Sequence, residues 1–447
     1  MNRADGDGSF ELSTEDASQL NARSRREVAD NELSSRVPGG RVAPAIGDAS
    51  QLNARCARSL REVADNELSS RVPGGRVAPA IGDVSRLNAR CARSLREVAD
   101  NDISDCGGDA SALYVLGKNA HSAGLSDRIE PFASEGSLAE RLSKNPLLMA
   151  PMAGVSDAAY RIMARAGGAA LAYSEMVSVA GIHYKGKKTW ELALPDDSEP
   201  DIAVQLFGAN PEHFREAVAA TCEKLGDRLA LIDINMACPM PKVTKNGAGS
   251  ALLDDPVRAA KIVRACVGEA NVPVTAKIRR GRRMDEEVAP EFARVLEDAG
   301  ASAIAVHGRY ANQLYRGKAS WDAVCCVVDA VTIPVIGSGD VMSNDDAHRM
   351  MQVTGCTAVM VARGSYGNPW VFSGAEPTAK QRIAAFACHV RLLDATHAHM
   401  ARARSLAGWY FRGMPHAASW RNKAMGCKTT DDYLKLAKEL NDELDEQ

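Results

Sequence analysis

Several residues able to do chemistry stand at the ends of short apolar runs, and one of them is a cysteine. Cys238 lies in Asn235-Met236-Ala237-Cys238-Pro239-Met240-Pro241-Lys242, directly after the apolar run 229–234. A short apolar run bounded by Gly and Pro reads as a buried parallel strand. The residues just past the end of such a strand are where an α/β barrel places its chemistry. A thiol, a carboxamide and a lysine therefore emerge together at the expected working face. A thiol of ordinary pKa, about 8.5, is mostly protonated at neutral pH and is a competent general acid. Most cysteines are small buried hydrophobes, so Cys238 gains weight only from its neighbours.

Those neighbours follow the same rule. Run 147–152 leads into Ala150-Pro151-Met152-Ala153-Gly154, a small-residue corner that lets a flat ring approach the backbone. Run 202–207 carries Gln205, an amide that both donates and accepts. Run 274–278 contains Lys277, a charge costly in an apolar strand unless it faces an anion. Run 303–306 ends in His307-Gly308-Arg309, run 334–336 in Gly337-Ser338-Gly339-Asp340, and run 358–361 in Ala362-Arg363-Gly364. Gly-rich turns after the last two strands are where such barrels bind phosphate through backbone N–H groups. Amide, lysine, histidine and phosphate cradle together predict flavin mononucleotide (FMN). Lys277 then faces the N1/O2 edge and Gln205 the polar edge of the ring.

Eight apolar runs, these seven and 169–174, alternate with amphipathic segments at 211–225, 255–269, 287–299, 322–330 and 343–354. That is the arithmetic of a (β/α)8 TIM barrel, expected over 145–374. A doubly wound open sheet would carry a G-x-G-x-x-G turn after its first strand, and 150–154 is not one. Residues 375–447 read as a small C-terminal helical domain, with helices over 379–400, around 407–411 and over 430–446. No acidic residue occurs between Ala395 and Thr430, whereas Arg402, Arg404, Arg412, Arg421, Lys423 and Lys428 are interleaved with Trp409, Tyr410, Phe411 and Trp420. Basic residues with aromatics suit a phosphate backbone and exposed bases. A solvated helical face over a small aromatic core accounts for the same pattern.

Residues 1–135 differ in kind. The segment 48–55 recurs almost unchanged at 83–90, and an earlier copy begins at Asp16. Each full unit contains Val-Pro-Gly-Gly-Arg-Val-Ala-Pro and no apolar stripe wide enough to bury on a neighbour, which rejects a solenoid. The segment reads as a disordered low-complexity extension.

The whole chain has 447 residues, 45% apolar and 25% charged, with formal net charge −3. No run is long enough for a membrane span, and no apolar h-region follows Met1. The eleven cysteines form no C-x-x-C pair, which argues against a disulfide framework or a metal centre and for reduced cytoplasmic thiols. Cys325-Cys326 reads as helix packing.

From about Pro146 to Lys428 the chain resembles the bacterial tRNA-dihydrouridine synthases. The segments that carry the resemblance are Pro151–Asp157, Asp233–Pro239 with Lys242, His307-Gly308-Arg309, Ile336–Asp340, Arg363–Trp370 and Gly408-Trp409-Tyr410. The resemblance implies an FMN barrel with a helical tRNA-binding domain that reduces the C5–C6 double bond of tRNA uridines. In that reaction hydride passes from the reduced flavin to C6, with NADPH as reductant, and Cys238 protonates C5. It implies flavin contacts at Pro151, Met152, Ala153, Gln205, Lys277, Ser338, Gly339, Asp340, Ala362 and Arg363, with His307 close by. Asn235 and Lys242 match positions near the target base, and Arg309 is read as a further substrate contact. Arg402, Arg404, Arg412, Arg421 and Lys423 are read as tRNA contacts. A cytoplasmic monomer without a metal is expected. Ala237, Ser338 and the pair Tyr310-Ala311 depart from the usual Gly, Asn and Thr-Arg of the family. The alternative is an FMN enzyme acting on a free pyrimidine, of dihydroorotate or dihydropyrimidine type, which has no need of the basic 402–428 segment. An RNA-binding protein without redox activity would not need Cys238 or Lys277.

Overall fold

The structure is a computed structural model that describes residues 129–132 and 136–445. The repeat region expected at 1–135 lies outside the described residues, apart from 129–132.

Nine parallel strands form one sheet: β1 Leu147–Met149, β2 Leu171–Ala172, β3 Val177–Ser178, β4 Ile202–Phe207, β5 Leu229–Met236, β6 Val274–Arg279, β7 Ala303–His307, β8 Val335–Ser338 and β9 Ala358–Val361. The order is β2-β1-β9-β8-β7-β6-β5-β4-β3, and a parallel bridge from Tyr173 to Ala203 joins the β2 end to β4. The sheet therefore closes on itself as an α/β TIM-type barrel. Helices cover its outer face, and all eight residues of β5 are buried.

Two expectations are corrected. Run 147–152 is strand only to Met149; Ala150 N–H still donates to Val361 O at 2.9 Å, and Pro151–Ala153 then turn away to form a wall of the mouth. The two-residue strand β3 was not foreseen; it is too short to show a period. The helix expected over 211–225 occupies Pro211–Leu225, with Asn210 capping Glu212 N–H and Pro at its start.

Beyond the barrel, helices Ala379–Ala395, Arg402–Tyr410, Ala417–Gly426 and Thr430–Asp445 enclose a second core of Phe386, Tyr410, Phe411, Trp420, Tyr433, Leu436 and Leu440. The first ends five residues earlier than expected, at Ala395. The helix 417–426 escaped the sequence reading because only Trp420 and Ala424 of it are buried, too few for a periodic stripe. Ala159, Met163 and Trp370 of the barrel belong to the same core, so the helices pack directly on it. Among the described residues no helix is long and apolar enough to cross a membrane, and no group of three or more His, Cys, Asp or Glu could hold a metal ion.

Candidate active site

Side chains two apart on a strand share a face, and the parallel register places those of neighbouring strands side by side. Gln205 pairs with Asp233 and Asp233 with Thr275; two residues on, Asn235 pairs with Lys277. Two further on, Arg279 pairs with His307, His307 with Ser338, and Ser338 with Met360. Polar residues thus line the barrel interior from the level of Asp233 to the strand ends, where a cavity of about 350 Å3 opens. Its walls include Pro151, Met152, Ala153, Gln205, Asn235, Cys238, Lys277, His307, Ser338, Gly339, Asp340, Ala362 and Arg363.

Cys238 is half-buried at this mouth. Its backbone N–H donates to Asn235 Oδ1 at 2.9 Å, and its carbonyl accepts from Ser250 N–H at 3.0 Å. Arg279 Nε holds the preceding carbonyl, of Ala237, at 3.0 Å. The thiol therefore stands on a braced turn.

The cavity is electropositive. Lys277 is 9% exposed and forms no ion pair with a carboxylate among the described residues. Burial, then the nearby Arg279, pulls its ammonium down to about 8. Burial pulls Arg279 down to about 10. Burial and the surrounding Arg279, Lys277, Arg309 and Arg363 keep His307 well below the usual histidine range, so its imidazole is neutral at pH 7. Asp340 offsets part of this charge. It pairs with Arg309 at 2.6 Å and Arg363 at 2.9 Å and accepts from Ala319 N–H at 2.7 Å. Burial opposes its ionisation, but these contacts hold it below the usual carboxylate range. Gly339 has φ 114°, and a Cβ there would meet Ala319 Cβ and His307 Cδ2, each at 2.8 Å, so only glycine makes this turn.

Some expected contacts are corrected. Arg309 does not line the cavity; it is 2% exposed, and its Nε and Nη2 bond Asp340 and the carbonyls of Arg316 and Gly317, while its Nη1 is buried without a hydrogen-bond partner among the described residues. Lys242 is exposed on the turn Pro241–Thr244, outside the cavity wall. Arg402 bridges to the barrel, reaching Asp157 at 2.7 Å and Glu175 at 3.1 Å. Glu175 in turn accepts Gly154 N–H at 2.6 Å, so this tie reaches the Pro151–Gly154 corner. Arg404, Arg412, Arg421 and Lys423 are exposed. The interleaved aromatics are not base platforms. Tyr410, Phe411 and Trp420 are buried, and Trp409 stacks on Tyr366 at 4.2 Å between ring centres.

The sequence reading passed over Asp233, Thr275, Arg279 and Tyr315. For the first three a signal existed, since polar residues alternate in Asp233/Asn235 and in Thr275/Lys277/Arg279. Tyr315, 65% exposed beside Arg363, lies on an irregular loop with no period to mark it.

The family model for dihydrouridine synthase (Dus) matches residues 148–445. The tRNA-dihydrouridine synthase B of Xanthomonas axonopodis pv. citri (strain 306) is 36% identical over 313 residues, covering 67% of this chain and 93% of that protein. A probable tRNA-dihydrouridine synthase of Rhizobium leguminosarum bv. phaseoli is 34% identical over 309 residues, with 68% and 96% covered. One from Treponema pallidum (strain Nichols) is 40% identical over 241 residues, with 51% and 69% covered. A match over two thirds of the chain, spanning both the barrel and the helices behind it, establishes that this protein belongs to the dihydrouridine synthase family.

Proposed function

We propose that this protein reduces the C5–C6 double bond of uridines in tRNA to dihydrouridine, as a cytoplasmic monomer using FMN and NADPH. The observation that carries this reading is a braced cysteine in the same electropositive cavity as a buried lysine that forms no salt bridge among the described residues, its nearest interacting carboxylate, Asp233, being bonded to Thr275 and Gln205. Burying an ammonium without a counter-charge is costly, and an anionic ligand removes that cost. Gly339 and Arg363 both line the cavity, a backbone turn and a guanidinium suited to a phosphate. These residues fit FMN, which when bound supplies hydride chemistry to the pyrimidine C6.

The chain's own groups do the rest. Lys277 and Gln205 hold the polar edge of the ring, and Pro151, Met152 and Ala153 pack along it. Ser338, Gly339, Asp340, Ala362 and Arg363 hold the phosphate end, with neutral His307 beneath. Asn235, its amide bonded to Gln205 and to the Cys238 turn, seats the acid beside the base. Cys238 delivers its thiol proton to C5 from the mouth, a contribution on the order of 10² to 10⁴ in rate. Uridine must leave the tRNA stack to reach this depth, at a cost of a few kcal/mol. Exposed Arg404, Arg412, Arg421 and Lys423 offset that cost through phosphate contacts.

The test is dihydrouridine mapping on tRNA from cells lacking the gene, complemented with wild type or Cys238→Ala. One dihydrouridine site should vanish, return with wild type and stay absent with the variant. Unchanged tRNA, with free uracil or orotate-type substrates turned over by the purified protein, would replace this reading with a free-pyrimidine enzyme.

A further inference from the structure

Beneath the cavity floor a chain of hydrogen bonds runs from a buried carboxylate to the Cys238 turn. Asp233 is fully buried inside the barrel. Its Oδ1 accepts from Thr275 Oγ1 at 2.7 Å and its Oδ2 from Gln205 Nε2 at 2.7 Å. Gln205 Oε1 accepts from Asn235 Nδ2 at 2.7 Å. Asn235 Oδ1 accepts the backbone N–H groups of Ala237 at 3.1 Å and Cys238 at 2.9 Å.

The two ends of this chain have fixed polarity and the middle does not. Backbone N–H groups only donate, and an ionised carboxylate only accepts, whereas each carboxamide can turn either way. With a pure acceptor at one end, Gln205 must aim its NH2 down at Asp233 and its carbonyl up at Asn235. At the other end the Ala237 and Cys238 N–H groups require the Asn235 carbonyl, so both ends impose the same direction. Every donor meets an acceptor in this arrangement and in no other.

We propose that Asp233 is a positioning residue: by anchoring Gln205 in the one direction that Asn235 can accept, it braces the turn that carries Cys238. The inference rests on the reading of Cys238 as the acid, but the geometry of the turn can be measured without it. Asp233→Asn keeps the shape and removes the charge that anchors Gln205, so that only the neutral amide and the Cys238 turn hold its direction. Gln205→Leu cuts the chain at its middle. Thr275→Val removes a donor to Asp233 and leaves the direction of the chain intact.

The experiment combines steady-state reduction of tRNA by the flavin-loaded protein with iodoacetamide labelling of Cys238, read peptide by peptide in the mass spectrometer. Asp233→Asn should lower kcat by roughly 10- to 100-fold, the scale of a misplaced catalytic group, while KM for tRNA stays within about twofold. Both Asp233→Asn and Gln205→Leu should change the labelling rate of Cys238 by about threefold or more, with Cys222 labelled as in wild type. Thr275→Val should leave Cys238 labelling at the wild-type rate. A folded Asp233→Asn with wild-type kcat and labelling overturns the proposal. If that variant does not fold, wild-type labelling in Gln205→Leu overturns it equally. Cys238→Ala, run alongside, separates the two readings: retained activity there removes the acid assignment, while labelling still decides the role of Asp233.

Discussion

The barrel mouth and the C-terminal helices carry the same kinds of side chain in opposite ways. At the mouth the cations are buried and braced: Lys277 and Arg279 stand on strands, and Arg309 is locked to Asp340. Among the helices the aromatics are mostly buried and most of the cations are out in solvent, with Lys423 reaching an exposed Glu439 at 3.6 Å and lying over the Trp420 ring at 3.9 Å. Charge at the mouth is therefore pre-organised and works at short range, where burial strengthens it. Charge on the helices is solvated, screened by salt and additive, which suits a polyanion backbone. Arg402 belongs to neither group; it is the strut between them.

Lys277→Met should break the comparison most visibly. A charge-assisted contact contributes about 1.5–3 kcal/mol, so flavin should bind roughly 10- to 100-fold more weakly. The ammonium is held down to about 8 by burial. It is charged below that pH and neutral above it, and a bound anion favours the charged form. Wild-type flavin affinity should then fall as pH rises above about 8, and the Met variant should lack that slope. Flavin fluorescence titrations from pH 6 to 9.5 measure both. A pH-independent wild type would mean that Lys277 does not face the anionic edge.

The helices should respond more weakly and in a different variable. Arg412→Ala with Arg421→Ala should weaken tRNA binding by several-fold at moderate salt and reduce the slope of log K against log salt by about 0.7–0.9 for each phosphate no longer neutralised. Filter binding at several salt concentrations tests this, and flavin affinity should not change. An unaltered slope would move the tRNA interface elsewhere.

Arg402→Met should give the smallest effect. It leaves Asp157 and Glu175 without their guanidinium, at a cost of about 1–2 kcal/mol for a part-exposed pair. Thermal melting should shift down by a few degrees, with the salt slope of tRNA binding unchanged. A reduced slope would return Arg402 to the tRNA-binding set.

How far the site was legible depends on periodicity. Where strands are regular, as in 202–207 and 358–361, the expected and observed limits coincide. Gln205 and Lys277 could be singled out because each interrupts an otherwise apolar run, and Asn235 and Cys238 because they directly follow one. Tyr315 could not, because its loop has no pattern to interrupt.

What the amino-acid sequence determined by itself was local: apolar runs of strand length, Gly-rich turns, helix caps such as Asn210, and the isolated polar residues among them. Those features follow from dihedral preferences and burial along the chain, which act between near neighbours. What only the tertiary structure decided was pairing across the barrel. Whether Arg309, Arg402 or Lys277 keeps its charge free depends on which carboxylates lie within about 4 Å, and those come from distant segments. Asp340 lies 31 residues from Arg309 and Asp157 lies 245 from Arg402. Lys277 has no carboxylate that close among the described residues, with Asp233 acting on it only from further off, and barrel closure made that decision by setting which strands lie side by side.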